Sequence, residues 1–205
     1  MLLHLFRHGQ TNWNLERRVQ GQSESTLTKL GCQQATNLGS DIKHLDLKQV
    51  YCSSSVRTRE TAAHAFTQKE TQFEFRDNLR EIHLGPWEGF LYAEMERSSP
   101  EDYDHFWNSP GQFDVDGAET FQQLQQRAIN AVQEIYLESH STHEQVAVVS
   151  HGALIKTLLC HYEGRDLNKM WEPPQMTNCS HSIVKLSADG KGEIIQYAGV
   201  KVQLS

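Results

Sequence analysis

Apolar and polar positions along the chain change period several times, and each change predicts an element. Leu2 to Phe6 is a short apolar run of strand length, and "QVAVVS" (Gln145 to Ser150) is a stronger one. Runs this short and this uniformly apolar suit strands buried on both faces. From Thr28 the period turns helical: Gly31, Ala35, Leu38 and Ile42 fall on one face behind Thr28 as N-cap. Gln49 to Cys52 predicts a second strand, Val56 to Phe66 an Ala-rich helix, and Gln72 to Phe75 a third strand. Thr120 and Gln123 form a capping-box pattern ahead of the stripe Phe121, Leu124, Ala128, Val132 and Ile135. "GALIKTLLCHY" predicts another helix, and "HSIVKL" and "EIIQYAG" predict two late strands joined by a turn at Asp189-Gly190.

Strands alternating with helices imply an α/β fold with three layers, α/β/α. Its sheet is mostly parallel, with helices on both faces and an antiparallel addition near the C-terminus. The stretch Gly85 to Gly117 breaks the rhythm with Trp87, Phe90, Tyr92, Tyr103, Phe106 and Trp107, so a cap-like insertion over one end of the sheet is expected there. A chain of 205 residues without repeats or linkers suits one domain spanning 1–205.

Charge then narrows the partners. The net charge is −7 with no Lys/Arg cluster, which argues against nucleic acid. An anionic substrate must therefore be held by a local group of cations working against the overall field. No apolar run approaches the roughly 18–20 residues that cross a bilayer, and Met1 leads directly into a strand, so neither membrane nor secretory signal is expected. Cys32, Cys52, Cys160 and Cys179 are far apart and form no C-x-x-C pair; free thiols in a reducing cytoplasm are the expectation. His140 and His143 have a spacing compatible with metal, but no acidic or cysteine partner completes a site, so no metal or other cofactor is expected. Monomer and homodimer both remain open.

Three strand-to-helix junctions concentrate the chemistry. The first strand ends at Arg7-His8, the second runs into Ser53-Ser54-Ser55-Val56-Arg57, and "VAVVS" ends at His151-Gly152. In an open parallel sheet the carboxyl ends of the strands lie along one edge, where ligands bind. Helix N-termini starting there favour anions. One such junction means little, because an arginine near a helix start is commonly solvated. Three on the same edge describe a phosphate pocket.

Taken together, "LFRHGQTNWN", "SSSVRTRETA", "LREIHLGPWEG" and "VVSHGALIKTLL" resemble the histidine phosphatase superfamily, of phosphoglycerate mutase-like fold. The resemblance runs in order over essentially the whole chain. "ERRVQG", "LGPWEG", "DHFW" and "WEPP" resemble its prokaryotic broad-specificity phosphatase branch most. It implies that His8 is the nucleophile, attacking phosphorus in line to form a phosphohistidine, with its other ring nitrogen fixed by an acceptor such as a backbone carbonyl. It implies that Arg7, Arg57 and His151 hold the phosphoryl oxygens, a task that suits the forked, permanently charged guanidinium. Glu81 stands where the family keeps its general acid; read from its neighbours alone, it could equally pair with Arg80 or Arg76. Asn14, Gln20 and Gly21 match positions lining the phosphate pocket, although Asn14 also suits a turn. Gly152 and Asn178 complete the expected binding set. The family's metal independence agrees with the missing metal-ligand spacing.

The same site can return the phosphoryl group to a sugar acid or give it to water. Cofactor-dependent mutases carry "ER-x-YG" after the acid glutamate, whereas this chain reads "EIHLGPWEG". The expectation is therefore a metal-independent phosphatase of small phosphomonoesters. Phosphoglycerate mutase and a specialised phosphatase, such as one for α-ribazole phosphate, are the alternatives. A binding module that has lost catalysis is a third, disfavoured because His8, Arg57, Glu81 and His151 are all present. Trp87, Phe106, Trp107 and Trp171 are expected either to wall the substrate's organic part or simply to pack the insertion.

Overall fold

Period-two burial along the central strands divides the core into two layers. In β1 (Leu2–Arg7), Leu3 and Leu5 face one apolar cluster and Phe6 faces the other. The computed structural model describes residues 1–68 and 70–202. After β1 come α1 (Asn12–Glu16), α2 (Lys29–Ile42), β2 (Gln49–Ser53), α3 (Val56–Ala65) and β3 (Gln72–Arg76). Then follow α4 (Tyr92–Ser98), α5 (Pro100–Asn108), α6 (Phe121–Ser139), β4 (Gln145–Ser150), α7 (Gly152–Glu163), β5 (His181–Leu186), β6 (Gly192–Tyr197) and β7 (Val200–Lys201).

The strands form one sheet in the order β3-β2-β4-β1-β5-β6-β7. The first four are parallel and the last three join antiparallel, so the expected three-layer α/β arrangement is present. Val146 and Val148 of β4 pack with Leu124, Ile135 and Leu158 of α6 and α7. Ala147 and Val149 pack with Leu38, Ala62 and Ala65 of α2 and α3 on the opposite face. Burying a side chain of Val or Phe size contributes about 1.5–3 kcal/mol, so this alternation makes a register slip costly.

The expected helix starts hold at atomic detail. Thr28 accepts from the Gly31 N–H at 3.0 Å. Thr120 and Gln123 exchange hydrogen bonds of 2.9 and 3.2 Å with each other's backbone N–H. Four elements went unforeseen. Helix α1 has only 5 residues, too few to show a period, and β7 has 2. Within Gly85 to Gly117 lie α4 and α5, neither of which begins with a side-chain N-cap bond from the cap residue.

Gly31 decides how closely α2 approaches the loop after β1. A Cβ at Gly31 would lie 2.1 Å from the Gln10 carbonyl oxygen, which is backbone and has nowhere to retreat. Helix propensity alone favours alanine over glycine by about 1 kcal/mol. The clash outweighs it, and Gly31→Ala is expected to destabilise by about 2 kcal/mol in urea melts. A neutral or stabilising result would show that the loop yields freely.

Candidate active site

Parallel pairing places Arg7 opposite Ser150, and the His8 N–H donates to the Ser150 carbonyl at 3.1 Å. The two following residues, His8 and His151, therefore meet at the sheet edge with ring centroids 5.4 Å apart. Arg57 reaches the same point from the start of α3. All three side chains are essentially buried, Arg57 completely.

The backbone of His8 is held from three directions. Its carbonyl accepts from Asn178 Nδ2 at 3.1 Å and from the Cys179 N–H at 3.2 Å, and the next N–H, of Gly9, donates to Thr61 Oγ1 at 3.0 Å. The ring Nδ1 lies 2.7 Å from the Gly9 carbonyl oxygen, which can only accept. Nδ1 thus carries the proton and Nε2 keeps its lone pair. Burial, then the charges of Arg57 and Arg7, hold this imidazole well below its ordinary pKa, so it is neutral at pH 7.

His151 takes the opposite tautomer. Its Nδ1 accepts from Arg57 Nε at 3.2 Å, which leaves Nε2–H to donate to Ser53 Oγ at 2.7 Å. Arg57 also donates Nη2 to the Gly21 carbonyl at 2.7 Å and Nη1 to the Ser23 carbonyl at 2.9 Å. Arg7 donates Nη1 to the Met176 carbonyl, while its buried Nε has no partner. Among the described residues, neither guanidinium has a carboxylate within 4.0 Å. Burial draws both below the ordinary arginine value, Arg57 to about 10, and the more distant charge of Glu81 acts against it. Two buried cations without a paired anion are costly unless an anion arrives.

Glu81 closes the other side. Its Oε2 accepts from the Ala153 N–H and its Oε1 from the Leu154 and Ile82 N–H groups, each at 3.1 Å. The surface pairs considered for it belong to others: Arg80 bridges Glu24 at 2.9 Å, and Arg76 bridges Glu74 and Glu138. This arrangement corrects one expectation. The first N–H groups of α7 serve Glu81, and the Val56 N–H at the start of α3 donates to Glu24 Oε2 at 2.8 Å. Carboxylates from the same chain have taken those two helix ends, so the guanidinium groups are what remains for an outside anion.

These groups border a cavity of about 240 Å³. Arg7, His8, Asn14, Gln20, Gly21, Arg57, Glu81 and Gly152 all line it. Asn14 lies within α1 and not in the turn it also suited: its Oδ1 accepts from the Thr11 N–H at 3.1 Å, and the residue lines the cavity. Gln20 Oε1 is occupied by the Thr11 and Ser25 hydroxyls at 2.9 and 2.7 Å. Gly21 has φ of +52°, and a Cβ there would lie 2.2 Å from Glu88 Oε1, so only glycine lets the loop pass. Two expected binding residues lie behind the wall. Asn178 holds the His8 carbonyl, and His151 is screened by Arg57 and Ser53.

Tyr92, Lys156, Gln175 and Met176 also line the cavity and escaped the sequence reading. Tyr92 left a trace as one of the aromatics of Gly85 to Gly117, and Lys156 as a cation inside the apolar run "GALIKTLL". Lys156 is 2% exposed, burial pushes its pKa down to about 8, and Nζ donates to the Glu172 and Pro174 carbonyls at 2.7 and 3.1 Å. Burial raises the Tyr92 phenol to about 12. Of the four aromatics considered as a wall, Phe106, Trp107 and Trp171 border the cavity. Trp87 instead packs beneath, against Phe106 and Phe113.

Known proteins resemble this chain in sequence and in fold. Residues 3–197 match the model of the histidine phosphatase superfamily, branch 1. Phosphoserine phosphatase 1 of Hydrogenobacter thermophilus is 28% identical over 89% of this chain and 85% of its own length. The adenosylcobalamin/α-ribazole phosphatase of Escherichia coli is 26% identical over 83% of each chain. The solved structure of Bacillus stearothermophilus YhfR superimposes with a TM-score of 0.93 at 36% identity, covering 98% of both chains. With a neutral histidine between two anion-seeking arginines in this setting, the chain belongs to the histidine phosphatase superfamily, branch 1, and is a hydrolase of phosphate monoesters.

Proposed function

We propose that His8 is the nucleophile of a metal-independent phosphatase acting on small phosphomonoesters. The observation that carries this reading is the pair of buried guanidinium groups, Arg7 and Arg57, without a carboxylate partner and flanking a neutral imidazole. In the first step the His8 Nε2 lone pair attacks phosphorus in line while the ester P–O bond breaks. Arg7 and Arg57 take the equatorial oxygens, whose charge they stabilise more as the transition state forms. Glu81 gives a proton to the departing alkoxide. In the second step Glu81 takes a proton from water, whose oxygen displaces the phosphoryl group from Nε2 as inorganic phosphate. His151 acts through Arg57, whose Nε it orients. Segment 85–117 serves as a cap, and Phe106 and Trp107 face the organic part of the substrate. With four free cysteine thiols, we place the enzyme in the cytoplasm.

The test is hydrolysis of phosphoserine, phosphoglycerates, sugar phosphates and aryl phosphates in EDTA, with acid quenching to trap an acid-labile label on His8. Full activity in EDTA with the label is the expected result; a label elsewhere, or none, overturns the mechanism. The mutase alternative requires exchange of 2- and 3-phosphoglycerate with a bisphosphate primer, and none is expected. Glu81→Gln is expected to lower kcat about 10²–10⁴-fold on alkyl esters, with KM nearly unchanged. On p-nitrophenyl phosphate, whose leaving group needs no proton, the loss in the first step is expected to be far smaller. Equal losses on both esters would remove Glu81 from the role of acid.

A further inference from the structure

A second cleft, of about 490 Å³, adjoins the reaction cavity and shares Asn14, Tyr92 and Trp107 with it. Trp13, Tyr103 and Trp107 give it aromatic walls, and Arg17, Arg18, Glu16 and Glu96 give it charge. Arg18 is committed: it bridges Glu16 at 2.9 Å and donates to the Gly89 carbonyl. Among the described residues, Arg17 has no carboxylate within 4.0 Å and no side-chain hydrogen bond. It nevertheless stands at the C-cap of α1 with φ 56° and ψ 41°, a left-handed conformation in which glycine is the favoured residue. Its backbone is pinned there, the N–H donating to the Asn14 carbonyl at 3.2 Å and the carbonyl accepting from the Tyr92 N–H at 3.1 Å. Capping does not explain an arginine at this position, and its exposed side chain is left uncommitted at the cleft.

We infer that this cleft is a second substrate subsite and that Arg17 determines specificity there. The ligand it takes is the far end of a ring-bearing organic group that carries a second negative charge, on a phosphate ester whose phosphoryl group sits at His8. This rests on the phosphatase reading above. The aromatic walls receive the ring, and the guanidinium receives the terminal anion. The shared wall of Asn14, Tyr92 and Trp107 leads from one cavity to the other.

The test compares 2-naphthyl phosphate with 6-carboxy-2-naphthyl phosphate. The carboxylated ester is expected to show about fivefold lower KM at low salt, the preference shrinking as ionic strength rises. Arg17→Gly, which suits the left-handed cap, is expected to abolish the preference without lowering kcat on 2-naphthyl phosphate. Arg17→Lys is expected to restore part of it. Calorimetric binding of both esters to His8→Ala reads the subsite without turnover, so a failure of the hydrolytic mechanism does not affect this measurement. Equal affinity for the two esters with Arg17 present, or an undiminished preference in Arg17→Gly, overturns the proposal.

Discussion

His8→Ala is expected to reduce turnover of every phosphate ester by about 10⁴-fold or more, with the fold retained and inorganic phosphate still bound. The imidazole is prepared for one task by its surroundings. The Gly9 carbonyl at 2.7 Å fixes the tautomer, and burial together with Arg57 and Arg7 keeps the ring unprotonated. No other nucleophile stands ready beside it among the described residues: His151 has both ring nitrogens engaged, and Glu81, held by three backbone N–H groups, is left the proton transfers. Phosphate binding survives in the variant because the two guanidinium groups remain. Steady-state rates, circular dichroism and calorimetric phosphate binding together check the prediction. Turnover within tenfold of the wild type would assign the nucleophile elsewhere, whereas loss of phosphate binding would show that His8 also shapes the anion pocket.

The second large effect is loss of stability in mild acid. Burial pushes His4 down to about 4, and burial with neighbouring positive charge holds His8 and His151 well below 6.5. Each ring is neutral when folded but takes a proton at about 6.5 when unfolded. The unfolded state therefore binds more protons below that value, and stability present above pH 6.5 is lost as pH falls toward each folded value. The slope approaches about 1.4 kcal/mol per pH unit for each ring only well below 6.5; between pH 6.5 and 5.5 each ring loses about 1 kcal/mol, or roughly 3 kcal/mol for these three. A total stability of about 5–15 kcal/mol makes that a large fraction. Thermal melts are expected to fall by roughly 6–12 °C between pH 6.5 and 5.5. Saturating phosphate is expected to recover part of the fall, because the dianion offsets the Arg57 and Arg7 charges that oppose protonation of His8. A flat melting temperature across this interval would mean that these rings accept protons without unfolding. Glu88 does not contribute here. Burial alone would raise its carboxyl, but bonds from the Ser23 hydroxyl and the Gln22 and Leu84 N–H groups hold it below the usual value, so its effect begins in stronger acid.

Elements with a complete local signature were legible along the chain. The caps at Thr28 and Thr120 need only residues three positions away, and the buried runs of β1 and β4 need only their own composition. Helices α4 and α5 were not legible, because aromatic density obscured their period and their cap residues supply no side-chain bond. At the site, Arg7, His8 and Arg57 were legible because each lies at or within a few residues of a strand's carboxyl end, and strand–helix alternation brings those ends to one edge. Lys156, Gln175 and Met176 were not, because their places depend on how residues 172–176 cross over α7.

The chain by itself determined a doubly covered, mainly parallel sheet and the residues delivered to its ligand edge, since periodicity and junction chemistry are local properties. Only the tertiary structure decided which of those groups meet a ligand. Occupancy is a long-range competition for hydrogen bonds: Glu81 and Glu24 took the helix N-termini, and Asn178 took the His8 carbonyl. His151 took Arg57 Nε, while Arg7 and Arg57 were left without an anion. The partners of each such bond lie tens to more than 150 residues apart, and distance in the sequence carries no record of who reaches whom.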